Sequence, residues 1–234
     1  MRFRFIDSFA LAIALFLRLA ASALAEPVDV QLVLAIDSSS SVSMDEYYLQ
    51  LEGYAAAFSH PDLAKAIGSG PHRAIAVTLF EWSGEHDQVI NFPWRRLDET
   101  DSLSRFAAEL VVAPRLVIGG ETAIGAAIEY AVRLFDQSGF DSARRVIDIS
   151  GDGASNRGRP ANAARDDAIA RGIVINGLAI VDEEPGLAAY YRSTVVGGAG
   201  AFVITAQSYQ DFADAILKKL VREITRIAAA ESPR

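Results

Sequence analysis

The run from Val28 to Ser41, Val-Asp-Val-Gln-Leu-Val-Leu-Ala-Ile-Asp-Ser-Ser-Ser-Ser, constrains the fold more than any other stretch. The residues up to Ile36 are mostly β-branched and aliphatic, the pattern of a strand buried on both faces as in a parallel sheet. The pattern then breaks into Asp37 and four serines. A carboxylate in that position is costly to bury unless something compensates its charge. Asp37, Ser39 and Ser41, spaced Asp-x-Ser-x-Ser, offer hard oxygen ligands of the kind Mg²⁺ prefers. Open α/β sheets place their sites at the C-terminal ends of strands, where this triplet falls.

The remaining segments alternate in type. Ser43-Met44-Asp45-Glu46 reads as a capping box, opening a helix from Met44 to about His60 that Pro61 stops. Arg73 to Trp82 is a second strand and Gln88 to Phe92 a third, hairpin-linked through Ser83-Gly84, antiparallel at the sheet edge and ended by Pro93. Helices are expected over Thr100–Leu110, from Ile124 past Phe135, over Pro160–Arg171, near Leu187–Thr194, and from Tyr209 to about Ala229. Strands are expected at Arg145–Ser150, Ile173–Ile180 and Ala201–Thr205. This alternation predicts an α/β fold: a doubly wound, mostly parallel six-stranded sheet with helices on both faces and one antiparallel edge strand.

Composition removes several classes of function. The 234 residues carry a formal charge of −8, the wrong sign for a nucleic-acid footprint, and contain no cysteine. Disulfides, thiolate metal sites and cysteine nucleophiles are thereby excluded. Residues 1–25 read as a signal peptide: Arg2 and Arg4 precede an apolar stretch from Phe9 to Leu17, and Ala23-Leu24-Ala25 is a small-x-small cleavage site. Arg18 cuts the apolar stretch too short for a spanning helix, so contact with a membrane is expected only through this segment while uncleaved. The remainder, 26–234, reads as one domain, periplasmic or secreted.

Two further segments carry matching chemistry. Thr122 follows Gly119-Gly120-Glu121 before a helix, and Asp152 lies between Gly151 and Gly153 after a buried strand. Asp37 and Asp152 would both emerge at the C-terminal edge of a parallel sheet, so the three loops can converge. Two carboxylates and three hydroxyls supply five oxygen groups for an octahedral ion. On these residues the chain resembles von Willebrand factor type A domains over nearly all of 26–234. It is similar in particular to exported bacterial type-A-like proteins of unassigned function that share the run Arg-Val-Ile-Asp-x-Ser-Gly-Asp-Gly. The resemblance implies a metal-ion-dependent adhesion site. Ser39 and Ser41 would be direct ligands, Asp37 would act through water, and Thr122 and Asp152 would be the pair that changes with ligand state. In many members the threonine follows the two glycines directly; here Glu121 intervenes and adds negative charge near the rim.

The leading functional reading is a non-enzymatic binding module that holds Mg²⁺, with Mn²⁺ or Ca²⁺ as alternatives, and captures an Asp or Glu of a protein partner. No Gly-x-Ser-x-Gly elbow is present. The alternative is a Mg²⁺-dependent phosphoester hydrolase using Asp37, although Ser39 stands where a second acid/base aspartate would be wanted. A third reading is a structural role with an empty site. Asp148 is either support for the ligands or a buried aspartate satisfied by backbone donors. Asn156 either fixes the Asp152 loop or is an ordinary turn residue, the latter being the simpler reading. Asp182-Glu183-Glu184 reads as a solvated loop and not a second cation site. The last helix, which carries Lys218, Lys219, Arg222 and Arg226, reads as packing its apolar stripe into the core and not onto a membrane.

Overall fold

The computed structural model describes residues 25–98 and 100–230. The signal-peptide reading of residues 1–25 therefore lies, but for Ala25, outside the described residues. Chain order gives β1 (Glu26–Pro27), β2 (Val30–Asp37), α1 (Met44–Phe58), α2 (Pro61–Gly68), β3 (Ile75–Trp82), β4 (Gln88–Leu97) and α3 (Thr100–Val111). Then come α4 (Ile124–Phe135), β5 (Phe140–Asp141), β6 (Arg145–Gly151), α5 (Ala161–Ala170), β7 (Ile173–Ile180), α6 (Leu187–Tyr190), β8 (Val203–Ala206) and α7 (Phe212–Ala230). The main sheet runs β4-β3-β2-β6-β7-β8, parallel except for β4, which pairs antiparallel with β3 at the edge. This is the predicted architecture.

The sheet's two faces are built from alternate residues of the same strands. Leu32, Leu34 and Ile36 of β2 join the core under α1, α2, α3 and α7, while Val33 and Ala35 face α4, α5 and the segment after α6. All eight residues of β2 and of β3 are buried, as strands covered on both sides must be. From β2 the chain moves first to β3 on one side and later to β6 on the other. The order therefore reverses between β2 and β6, and the crevice at their C-terminal ends is the sheet's switch point. Ile36 pairs with Ser150 across it, which sets Asp37 and Gly151 side by side.

Two prolines act differently from the sequence reading. Pro93 does not end the edge strand, which continues to Leu97. The ladder shifts register around Thr78, whose hydroxyl donates to the Phe92 carbonyl at 2.8 Å, so the missing proline N–H falls at an irregularity on an edge where it costs little. Pro61 does stop α1, but it also starts α2, with His60 as the cap: its Nδ1 accepts the Asp62 N–H at 3.2 Å. The capping box at Ser43 and Glu46 is present as expected.

Candidate metal centre

The chain leaves β2 at Asp37 and turns at once. Asp37 Oδ1 accepts the Ser39 N–H at 2.8 Å, a local turn that points the Ser39 and Ser41 hydroxyls the same way, 3.1 Å apart. From the far side of the switch point, Asp152 Oδ1 accepts the Ser41 hydroxyl at 2.8 Å. Four of the five expected residues thus form one connected polar cluster. Thr122 arrives from the third loop: a Cβ placed on Gly153 would lie 3.9 Å from its hydroxyl oxygen. The Thr122 loop thus lies beside the Asp152 loop, and the Glu121 carboxylate turns away to pair with Arg157.

Asp37 is fully buried, and its Oδ2 makes no direct hydrogen bond. Burial, then the neighbouring Asp152 carboxylate, push its pKa up to about 7, against smaller pulls from the Ser39 N–H and hydroxyl and the Asp152 backbone. Two carboxylates, Asp37 and Asp152, are therefore held together with the Ser39 and Ser41 hydroxyls. Among the described residues no group of three or more His, Cys, Asp and Glu side chains is placed to hold a metal. This centre is of a different kind, with hydroxyls in place of further carboxylates, and such an oxygen set fits a hard divalent ion.

Two tyrosines back the cluster, and neither is visible in the sequence pattern. Tyr209, in a single 3₁₀ turn before α7, donates its hydroxyl to Asp152 Oδ2 at 3.0 Å. Burial and the charge of Asp152 push the Tyr209 pKa far up, so the phenol stays a donor. Tyr191 opens a π-helical turn, Tyr191–Val195, after α6, and its buried hydroxyl makes no hydrogen bond. A Cβ on Gly151 would lie 2.6 Å from Asp37 Oδ2 and 2.8 Å from this hydroxyl, so only glycine lets the two approach β6 this closely.

A second set of residues fixes the loops. Arg115 donates to the carbonyls of Ser38, Ser39 and Val42 and to the Ser38 hydroxyl at 2.8–3.1 Å, gripping the serine loop along its backbone. Glu81, fully buried at the end of β3, accepts the N–H groups of Leu116 and Val117 at 2.7–3.0 Å, the Tyr47 hydroxyl at 2.6 Å and the Asn91 amide. Glu81 holds the segment that bears Arg115, and Arg115 holds the serine loop. Asn156 is more than a turn residue: its Oδ1 accepts the Thr122 N–H and its own N–H donates to the Thr122 carbonyl, both at 2.9 Å. Glu184, expected in a solvated loop, accepts the Ala154 N–H at 3.0 Å and steadies the Asp152 loop.

Asp148 fits neither reading offered by the sequence. It points to the opposite side of the sheet from α4, where Lys219 Nζ of α7 lies 2.5 Å from Oδ1. The same ammonium donates to Glu223 at 2.8 Å, and the Asn176 amide reaches Glu223 at 2.9 Å. Asp148 and Lys219 are fully buried and Glu223 nearly so. Lys219 is thus an interior counter-ion.

Comparisons with known proteins agree with this architecture. The proximal thread matrix protein 1 of the mussel byssus, in a structure with a zinc-occupied MIDAS motif, superposes with a TM-score of 0.57 at 17% identity, covering 86% of this chain and 49% of that one. A von Willebrand factor type A protein from Catenulispora acidiphila gives 0.59 at 16% identity, over 84% and 43%. The vWF domain of the type V pili tip protein Mfa5 from Porphyromonas gingivalis gives 0.58 at 12%, over 88% and 97%. The chain spans about half the length of the mussel protein and less of the Catenulispora one, so these likenesses speak to the fold. No curated protein sequence matches the chain. A family model does, over residues 27–228: the chain has the von Willebrand factor type A fold and belongs to the family described as "Protein of unknown function (DUF1194)".

Proposed function

We propose that this protein is a divalent-cation-dependent binding module, acting in the periplasm or outside the cell, that captures an acidic side chain of a protein partner. Asp37, Ser39, Ser41, Thr122 and Asp152 would hold Mg²⁺, or Mn²⁺ or Ca²⁺ in its place. The observation that carries this reading is the fully buried Asp37 carboxylate, whose Oδ2 has no side-chain partner and whose pKa is raised by burial and by the neighbouring Asp152, joined to Asp152 through the Ser39 and Ser41 hydroxyls. An ion bound there would supply a Lewis-acidic position for an incoming carboxylate. The residues' part is to present oxygens and exclude competing cations. The hydroxyls of Ser39, Ser41 and Thr122 are neutral, so only the two carboxylates would offset the ion's charge, and an open position on it would still attract an anionic ligand. The zinc-occupied MIDAS motif of the mussel protein and the pilus-tip setting of Mfa5 support the reading by analogy of fold. The full burial of Asp37 weighs against its use as a nucleophile on a phosphoester.

Isothermal titration tests the proposal. The wild-type protein is expected to bind one Mg²⁺ or Mn²⁺, and a variant with Asp37, Ser39 and Ser41 all changed to alanine to bind none while keeping its circular dichroism spectrum. Absence of binding to the wild type, or equal binding to both proteins, contradicts it.

Tyr209→Phe gives a finer prediction. It deletes the one hydroxyl that orients Asp152 Oδ2 while leaving the ring in place, so Mg²⁺ affinity should fall about tenfold or more. The midpoint of thermal unfolding without metal should barely move, because loss of the donor also relieves a buried phenol. Unchanged affinity would show that Asp152 needs no such support.

A further inference from the structure

The segment gripped by Glu81 and Arg115 alternates in direction. Arg115 and Val117 turn inward, whereas Leu116 and Ile118 project outward with 47% and 86% of their surfaces exposed. This segment lies against the serine loop: Ser38 donates to the Val117 carbonyl at 2.8 Å and Ser40 to the Gly120 carbonyl at 3.1 Å. Met44 and Tyr48, on the first turns of α1, are also exposed. Met44 Sδ lies 3.9 Å from Arg115 Nη1, and the Arg115 guanidinium stands 5.5 Å from the Tyr47 ring, which meets the Tyr48 ring edge-on. Single exposed apolar residues are ordinary, but two pairs of them on elements tied to Arg115 and the serine loop, beside a polar centre, mark a contact surface.

The charges around this rim indicate what it receives. Arg115 makes no ion pair among the described residues; its donors go to backbone carbonyls and Ser38, so its charge stands beside the serine loop unneutralised by a carboxylate at contact distance. Asp45 and Glu46 lie in the same first turn of α1, and the whole chain carries −8. A uniformly acidic partner would be repelled by these groups and an apolar one would leave the centre unused. We infer that Met44, Tyr48, Leu116 and Ile118 form the docking rim for a protein segment in which one Asp or Glu is flanked by large apolar side chains. This deepens the metal-dependent reading above and rests on it. The carboxylate enters the centre beside Arg115, and the flanking residues cover the rim.

Short randomised peptides displayed on phage, selected on the immobilised protein with Mg²⁺ and again with chelator, test this. The Mg²⁺-dependent pool is expected to carry an Asp or Glu next to at least one Leu, Ile, Phe, Met or Trp. Leu116→Ser/Ile118→Ser should bind a synthetic peptide from that pool about tenfold or more weakly than the wild type, with unchanged Mg²⁺ affinity. Acidic peptides without apolar neighbours, no selected sequence, or equal peptide affinity of the double variant would overturn the proposal. So would binding to phosphatidylcholine vesicles that the double variant loses, which would make the rim a lipid contact. If the wild type takes up no Mg²⁺, the metal reading itself has failed; if both proteins bind Mg²⁺ equally and the peptide result is negative, only the rim proposal falls.

Discussion

Lys219→Met should destabilise the protein by about 3–5 kcal/mol, as when one partner of a buried ionic cluster is removed. The substitution keeps most of the side chain's volume, so the loss reports charge and not a cavity. It strands Asp148 and Glu223 in the interior with no ammonium between them. In the intact protein, burial is the largest influence on Asp148, and Lys219 opposes it while Glu223 adds to it, leaving the pKa at about 7. A raised carboxyl pKa means the folded state binds the proton more tightly than the unfolded one. The stability this group contributes is complete below about pH 4 and is lost as pH rises through about 7. Without Lys219 the carboxylates repel one another more strongly. The deficit of the variant should therefore be larger at pH 8 than at pH 5, where a proton can replace the missing ammonium. Asp148→Asn/Lys219→Met/Glu223→Gln, which removes all three charges, should recover much of the loss. Urea unfolding followed by circular dichroism at both pH values is the check. A loss below about 1 kcal/mol, or one equal at pH 5 and pH 8, would mean that water or another group compensates the two acids.

The second large effect is expected at Glu81. Glu81→Ala removes the acceptor for the Leu116 and Val117 N–H groups, the Tyr47 hydroxyl and the Asn91 amide in a single step. Hydrogen bonds to a charged acceptor contribute about 1.5–3 kcal/mol each, and buried donors left unpaired add to the loss. The bonds act together, so the total should be about 3–4 kcal/mol and not their sum. The consequence reaches the centre because Arg115 sits in the released segment. Metal affinity should fall along with stability, although Glu81 lies outside the five-residue set. Glu81→Gln, which keeps the shape but offers only one acceptor oxygen, should fall between the two. A Glu81→Ala protein with near-normal unfolding midpoint and metal affinity would show that Arg115 alone fixes the serine loop.

The fold and the centre were legible in the sequence wherever the controlling interaction is local. The apolar run into Asp37 specifies an interior strand, and Ser43 with Glu46 specifies the start of α1 a few residues later. The alternation of strands with amphipathic helices then fixes which strand ends share an edge, which brings Asp37 and Asp152 together. Pro93 was read as a stop because a proline breaks a ladder; its tolerance depends on an edge position and on the Thr78 hydroxyl, neither of which is local. Lys219 sits in a run with Lys218, Arg222 and Arg226, and nothing in the sequence separates it from the exposed Lys218 and Arg222. Its partner lies in β6, far away in the chain. Glu81 and Tyr209 were hidden for the same reason. Arg115 carries a faint signal: it is a single cation in the apolar stretch Val111-Val112-Ala113-Pro114-Arg115-Leu116-Val117-Ile118, where an unpaired charge needs many acceptors.

The central claim is that Asp37, Ser39, Ser41, Thr122 and Asp152 share one divalent ion. Crystals grown with Mn²⁺ and measured at its absorption edge test it most directly. The account predicts an anomalous peak among the five side chains, about 2.1–2.2 Å from the Ser39 and Ser41 hydroxyl oxygens. A peak only elsewhere, or none there with Mn²⁺ present in excess, would contradict it.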